Sequence, residues 1–194
     1  TTLDIKLIKG DKTDRETLLP GAVFEVHKLD ANKPGVSYLN DWTVQTKTTG
    51  QDGTVCFNSL SEGYYEIKET QVPQAQNVEY FIPAGEGAFY IHITTDGVFC
   101  VEMDEDKYPS SWRKRGNDSR VTKNADGSFT VANEAYGALK FKKTVTVNGS
   151  EISDTTDAAL KAKTNGVYTF RVQSIRNTDG TAITPAVDKT VSIT

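Results

Sequence analysis

The chain has 194 residues, enough for one large domain or two ordinary ones. Its 25% charged and 37% hydrophobic residues fit a folded domain and exclude a disordered one. The formal net charge of −4 gives the chain as a whole no electrostatic reason to bind nucleic acid or an anionic membrane.

In chain order, the first expected strand is Ile5-x-Leu7-x-Lys9. Alternating or β-branched runs follow at Val23–His27, Trp42–Thr48, Thr54–Phe57, Gly63–Thr70, Ala88–Thr94, Val98–Met103 and Ser128–Asn133. Turn pairs punctuate them at Gln51-Asp-Gly53, Asp96-Gly97, Ala125-Asp-Gly127, Asn148-Gly149 and Asp179-Gly180. So regular a succession of short strands predicts an all-β fold of the sandwich type rather than alternating strand and helix units. A single short helix is expected at Asp154–Lys163, with Ser153 or Asp154 as its cap. A new start near Ala135–Gly137, where Leu139-x-Phe141-x-Lys143 echoes the opening strand, divides the chain into residues 1–135 and 136–194. No stretch approaches the roughly 20 apolar residues of a membrane span, so no membrane insertion is expected of this segment.

Three distant segments share one pattern and end in different reactive groups. Ile5-x-Leu7-x-Lys9 ends in an amine, Tyr65-x-Ile67-x-Glu69 in a carboxyl and Phe129-x-Val131-x-Asn133 in a carboxamide. Residues i, i+2 and i+4 of a strand share a face, so each polar group continues a core-facing apolar row. An unpaired buried amide costs on the order of 2–7 kcal/mol, so three groups that converge could satisfy one another or react, the alternative being ordinary edge positions that face solvent. A buried Lys tends to lose its charge and a buried Glu to keep its proton. A neutral amine facing a carboxamide beside a protonated acid can form an amide bond with release of ammonia. The reaction runs once, so this is self-modification and not an enzyme activity.

The first of the two parts resembles the Cna-B type domains of Gram-positive surface adhesins and pilins. The resemblance rests on Leu7-Ile-Lys-Gly-Asp11, Leu19-Pro-Gly-Ala-Val-Phe-Glu-Val26, Asp52-Gly-Thr-Val-Cys-Phe57 and the closing Phe129-Thr-Val-Ala-Asn133. Its most specific element is Gly63-Tyr-Tyr-Glu-Ile-Lys-Glu-Thr-Gln-Val-Pro73, similar to the E-box of that family, with Val72 where Ala is usual. The resemblance implies an Ig-like β-sandwich over residues 1–135 and an intramolecular isopeptide bond between Lys9 and Asn133, promoted by Glu69. It further implies a structural stalk or pilus subunit, extracellular and anchored to the cell wall, joined to other subunits through sortase-mediated linkage and needing no cofactor. Residues 136–194 look like the opening of a pilin isopeptide-linkage repeat, an incomplete second β-sandwich in which Lys143 would be the amine.

Three features stand outside that reading. The Tyr80–Arg120 stretch is longer than a minimal domain of this kind needs, so an insertion or extra strands are expected. As an alternative, its Tyr90, Tyr108, Trp112 and Arg113-Lys-Arg115 would form an adhesive surface for a host protein or glycan. Alternation with Val55 and Phe57, and with Phe99, Val101 and Met103, turns Cys56 and Cys100 outward, where a disulfide and two free thiols are both open. His27 and His92 are isolated in alternating strands, and neither they nor Asp104-Glu-Asp106 has metal-ligand spacing.

Overall fold

The computed structural model describes residues 2–76, 78–136, 144–152, 157–164, 166–173, 180–182 and 188–193. It falls into two compact units, Thr1–Ala138 and Leu139–Thr194. The protein is all-β in architecture.

The described residues of the first unit form eleven strands: β1 (Thr2–Asp11), β2 (Val23–Lys28), β3 (Gln45–Thr48), β4 (Thr54–Ser61), β5 (Gly63–Gln71), β6 (Tyr80–Phe81), β7 (Ala88–Thr94), β8 (Gly97–Glu102), β9 (Arg113–Lys114), β10 (Val121–Lys123) and β11 (Phe129–Ala135). One sheet runs β10-β11-β1-β4, with β6 paired to the far end of β11; the other runs β3-β2-β5-β7-β8-β9. Strict alternation explains the packing. In β7, Phe89, Ile91 and Ile93 are buried and the residues between them are half exposed. These rows meet Ile5 and Leu7 of β1, Phe57 of β4, and Phe129 and Val131 of β11 in one core between the sheets. Burying side chains of this size is worth about 1.5–3 kcal/mol each relative to exposure. Within the buried rows, the Tyr65 hydroxyl donates to Ser61 O at 2.8 Å.

The two ends of the first unit are brought together by the pairing of β1 with β11. The two strands run parallel, with Leu7 opposite Phe129, Lys9 opposite Val131 and Asp11 opposite Asn133. On its other side β1 pairs antiparallel with β4.

Several expectations are corrected. Trp42 lies outside β3, which begins at Gln45; its ring instead meets Tyr65 edge-on at 5.7 Å. The Tyr80–Arg120 stretch is no exception to expectation: of the insertion or extra strands foreseen there it holds strands, and β7, β8 and β9 form one side of the six-stranded sheet. Cys100 does not face outward. Val98 and Cys100 share the row that enters the sandwich core, while Val101 joins Leu29 and Trp112 in a second apolar cluster, with Tyr64, Tyr90 and Met103 packed against it. A strand covered on both faces reads as a continuous apolar run, and alternation cannot tell which row is inner. Cys56 in β4 and Cys100 in β8 belong to different sheets, and both are free thiols.

In the second unit the described strands are β12 (Thr146–Val147), β13 (Ser150–Glu151), β14 (Tyr168–Gln173) and β15 (Asp188–Ile193), pairing β12 with β13 and β14 with β15. Helix α1 spans Ala158–Thr164. Asp157 caps it, Oδ1 accepting from the amides of Ala159 and Leu160 at 3.0 and 3.2 Å. The expected caps Ser153 and Asp154 lie outside the described residues, as do Leu139, Phe141 and Lys143.

Candidate functional site

Each of the three patterned rows ends at the same edge of the sandwich. Because β1 and β11 are parallel, Lys9 and Asn133 sit near the ends of adjacent strands, two register positions apart on one face. Glu69 occupies the matching end of β5 in the opposite sheet. All three side chains are buried, with residue exposures of 0% for Lys9, 3% for Glu69 and 2% for Asn133.

Lys9 Nζ donates to Val131 O at 2.9 Å, approaches Gly10 O at 3.5 Å and stands 3.9 Å from Glu69 Oε1. Asn133 Nδ2 donates to Phe81 O at 3.1 Å, so the short strand β6, paired to the end of β11, holds the carboxamide. Two oxygens stay buried without a hydrogen-bond partner among the described residues: Glu69 Oε1 and Asn133 Oδ1. Both are acceptors if the acid is ionised. A proton on Glu69 turns one of them into a donor, and a single hydrogen bond between the two would then satisfy both.

A fourth group completes the cluster. Arg120, only 8% exposed, directs Nη2 to Glu69 Oε2 at 3.5 Å. Its backbone carbonyl accepts from the Ala132 amide at 2.8 Å, which ties it to β11 one residue before Asn133. The basic residues Arg113, Lys114, Arg115 and Arg120 do not share one environment. Arg113 and Lys114 are exposed and Arg115 pairs with Asp118 at 3.0 Å, but Arg120 turns inward. No periodicity marks it, since it precedes a strand of only three residues; the available signal was the adjoining Val121, which is buried in the core.

Burial dominates the electrostatics. It lowers the Lys9 pKa, against attraction from Glu69 and with help from Arg120, to about 8. Burial raises the Glu69 pKa above the usual carboxylate range, against the opposing pull of Lys9, Arg120 and the nearby Asn133 amide. Both shifts favour the uncharged forms. A buried Lys–Glu ion pair is a poor stabilising device because desolvation offsets its attraction, so the arrangement is better suited to chemistry than to holding the fold.

The two lysines nearest Lys9 in sequence lie elsewhere. Lys6 is exposed and faces Cys56 across the β1–β4 pair, and Lys12 forms an ion pair with Glu134. Among the aromatic residues of 80–120, Trp112 is 7% exposed and packs edge-on against Tyr90 at 5.5 Å and Tyr64 at 6.3 Å. Its Nε1 donates to Asp104 O and Lys107 O, each at 3.1 Å, whereas Tyr108 is 51% exposed. His27 stacks on Tyr38 and His92 on Tyr64. No group of three metal-ligating side chains occurs among the described residues, and no described helix is long and apolar enough to cross a membrane.

Residues 4–107 match the family model of the SpaA prealbumin-like fold domain, a span that includes Lys9 and Glu69 and stops short of Arg120 and Asn133. No curated protein sequence matches the chain. Among solved structures, the pilus adhesin RrgA from Streptococcus pneumoniae is similar at 24% identity and a TM-score of 0.47, covering 72% of this chain and 16% of its own. A C-terminal fragment of the pilus adhesin SpaC from Lactobacillus rhamnosus GG is 16% identical with a TM-score of 0.44, covering 73% of this chain and 48% of its own. The major pilin SpaD from Corynebacterium diphtheriae is 17% identical with a TM-score of 0.38, covering 70% and 30%. The chain thus spans less than half the length of each of these proteins.

Proposed function

Since the chain belongs to the SpaA prealbumin-like domain family, we propose that it is a structural segment of a Gram-positive surface pilus or adhesin, strengthened by its own isopeptide bond between Lys9 and Asn133. The observation that carries this reading is the meeting of a buried amine, carboxamide and acid at one edge of the sandwich. In the reaction, neutral Lys9 Nζ attacks Asn133 Cγ while Glu69 gives its proton to Oδ1, where negative charge develops. Glu69 then takes a proton from Nζ and passes it to Nδ2; the Cγ–Nδ2 bond breaks, ammonia leaves, and the Oδ1 proton returns to the acid. Holding the reactants in contact supplies effective molarities on the order of 10⁵–10⁸ M, which suffices for a reaction that happens once.

The bond would link the first and last strands of the unit and close a loop of more than a hundred residues. By the chain-entropy argument for crosslinks, that stabilises the fold by about 4–5 kcal/mol. Tension is the more telling consequence. With β1 and β11 parallel, a pull on the two ends shears one strand past the other, and a covalent bridge between them carries the load. Such a part suits an extracellular stalk fixed to the cell wall and joined to other subunits by sortase. The host-binding alternative draws less support, because Trp112 is packed under Tyr64 and Tyr90 rather than displayed.

Intact mass spectrometry tests the proposal. The purified protein should be one ammonia lighter than its sequence, with a branched peptide joining the segments around Lys9 and Asn133. A full calculated mass would remove the bond from the account.

A further inference from the structure

Resting on that reading of the site, we propose that Arg120 is its positioning residue: it holds Glu69 by Oε2, so that Oε1 alone handles the proton exchanged between Lys9 and Asn133. The geometry separates the two carboxyl oxygens. Oε2 faces the Arg120 guanidinium at 3.5 Å, while Oε1 lies 3.9 Å from Lys9 Nζ and has no hydrogen-bond partner among the described residues. A guanidinium only donates, and the carbonyl oxygen of a protonated acid accepts better than its hydroxyl, so the oxygen facing Arg120 is favoured as the carbonyl. The acidic proton therefore belongs on Oε1, the oxygen nearest the amine. Without Arg120, the carboxyl could place its proton on either oxygen or rotate, including into arrangements that point the proton away from the reacting atoms.

Arg120 also sets the charge balance. Glu69 is faced by Lys9 from β1, by Arg120 ahead of β10 and by the Asn133 side chain from β11; its neighbour across β2 is Phe24, which carries no charge. Asp11 acts on Lys9, and Glu86 and Asp118 act on Arg120. A fixed positive charge here repels the Lys9 ammonium and favours the free amine that attack requires. The same charge draws the Glu69 proton off more readily, so it places both limits of the reactive pH range lower than they would otherwise lie. Burying an arginine is costly unless it is paired. Placing one against the reactive acid, with its backbone fixed to β11, ensures that the cluster is complete only once the last strand has docked.

The test follows ammonia loss over time by intact mass after cell-free synthesis of the whole chain, quenched with acid, across a series of pH values. Arg120→Met keeps an apolar stem and removes the charge. It should slow linkage by on the order of tenfold, part of what general acid–base catalysis contributes, and move both limbs of the pH–rate profile upward. Arg120→Lys keeps a charge without the planar fork; it should restore the position of the limbs while remaining slower than wild type. Arg120→Met linking at the wild-type rate with unmoved limbs would overturn the inference. So would a slow Arg120→Met whose limbs do not move, since a merely structural role predicts that result. Should Arg120→Met fail to fold, Arg120→Lys decides: its rate must fall while its limbs hold, and an unchanged rate counts against the assignment. Wild-type protein that never loses ammonia defeats the underlying bond and this inference together, whereas wild type that links beside an indifferent Arg120→Met defeats the inference alone.

Discussion

At Lys9, Glu69 and Asn133, burial decides the chemistry. Lys9→Ala removes the proposed nucleophile and leaves Glu69, among the described residues, with Arg120 as its counter-charge. The variant should keep its full calculated mass and lose the stabilisation of the crosslink, about 4–5 kcal/mol; chemical denaturation alongside mass measurement reads both. The pH dependence follows from the two shifts. Asn133→Ala cannot link, so its stability reports the free pair. A Glu69 pKa raised in the folded state makes that variant lose stability as pH climbs above the ordinary value of 4.5. A Lys9 pKa lowered to about 8 makes it regain stability between there and the ordinary 10.5. Thermal melts across pH should show this dip in Asn133→Ala, and linked wild type, in which Lys9 is an uncharged amide, should lack the recovery above pH 8. These three positions were legible because each continues a row of apolar residues in a strand. Arg120 was not, because it precedes a three-residue strand that leaves no room for a pattern.

Among the elements, strands with one apolar row were readable and strands with two were not. Ile5, Leu7 and Lys9, or Phe129, Val131 and Asn133, could only face the core. In β8, by contrast, every residue from Val98 to Val101 is apolar or a thiol, and only the placement of Trp112 over the outer face reveals that Cys100 belongs to the inner row. Trp112→Ala should therefore behave as a core truncation, costing about 3–5 kcal/mol in denaturant unfolding. A change near zero would show that the outer cluster contributes no stability. Turns are legible at their glycines. Gly53 has φ +70°, and a Cβ there would lie 2.8 Å from both Leu18 Cβ and Leu19 N. Gly53→Ala should accordingly destabilise the protein by more than about 1 kcal/mol, where the same change at a compatible site would stabilise it. Helix α1 was expected from its Ala, Leu and Lys content, and its observed start at Ala158 follows from the Asp157 cap.

For the whole molecule, the first and last strands of the larger unit are neighbours although more than a hundred residues separate them. Single-molecule stretching of wild type should therefore lack the extension that the looped chain would release, on the order of 400 Å at 3.3–3.6 Å per residue. Lys9→Ala should recover it as one abrupt lengthening. An equal extension in both proteins would mean that no covalent bridge spans the unit. The same neighbour relation governs timing. The amine is synthesised early and the amide late, so the pocket stays open until the final strand arrives and no partial fold can seal itself prematurely. The missing ammonia would then serve as a permanent receipt, marking each molecule that had reached its finished form.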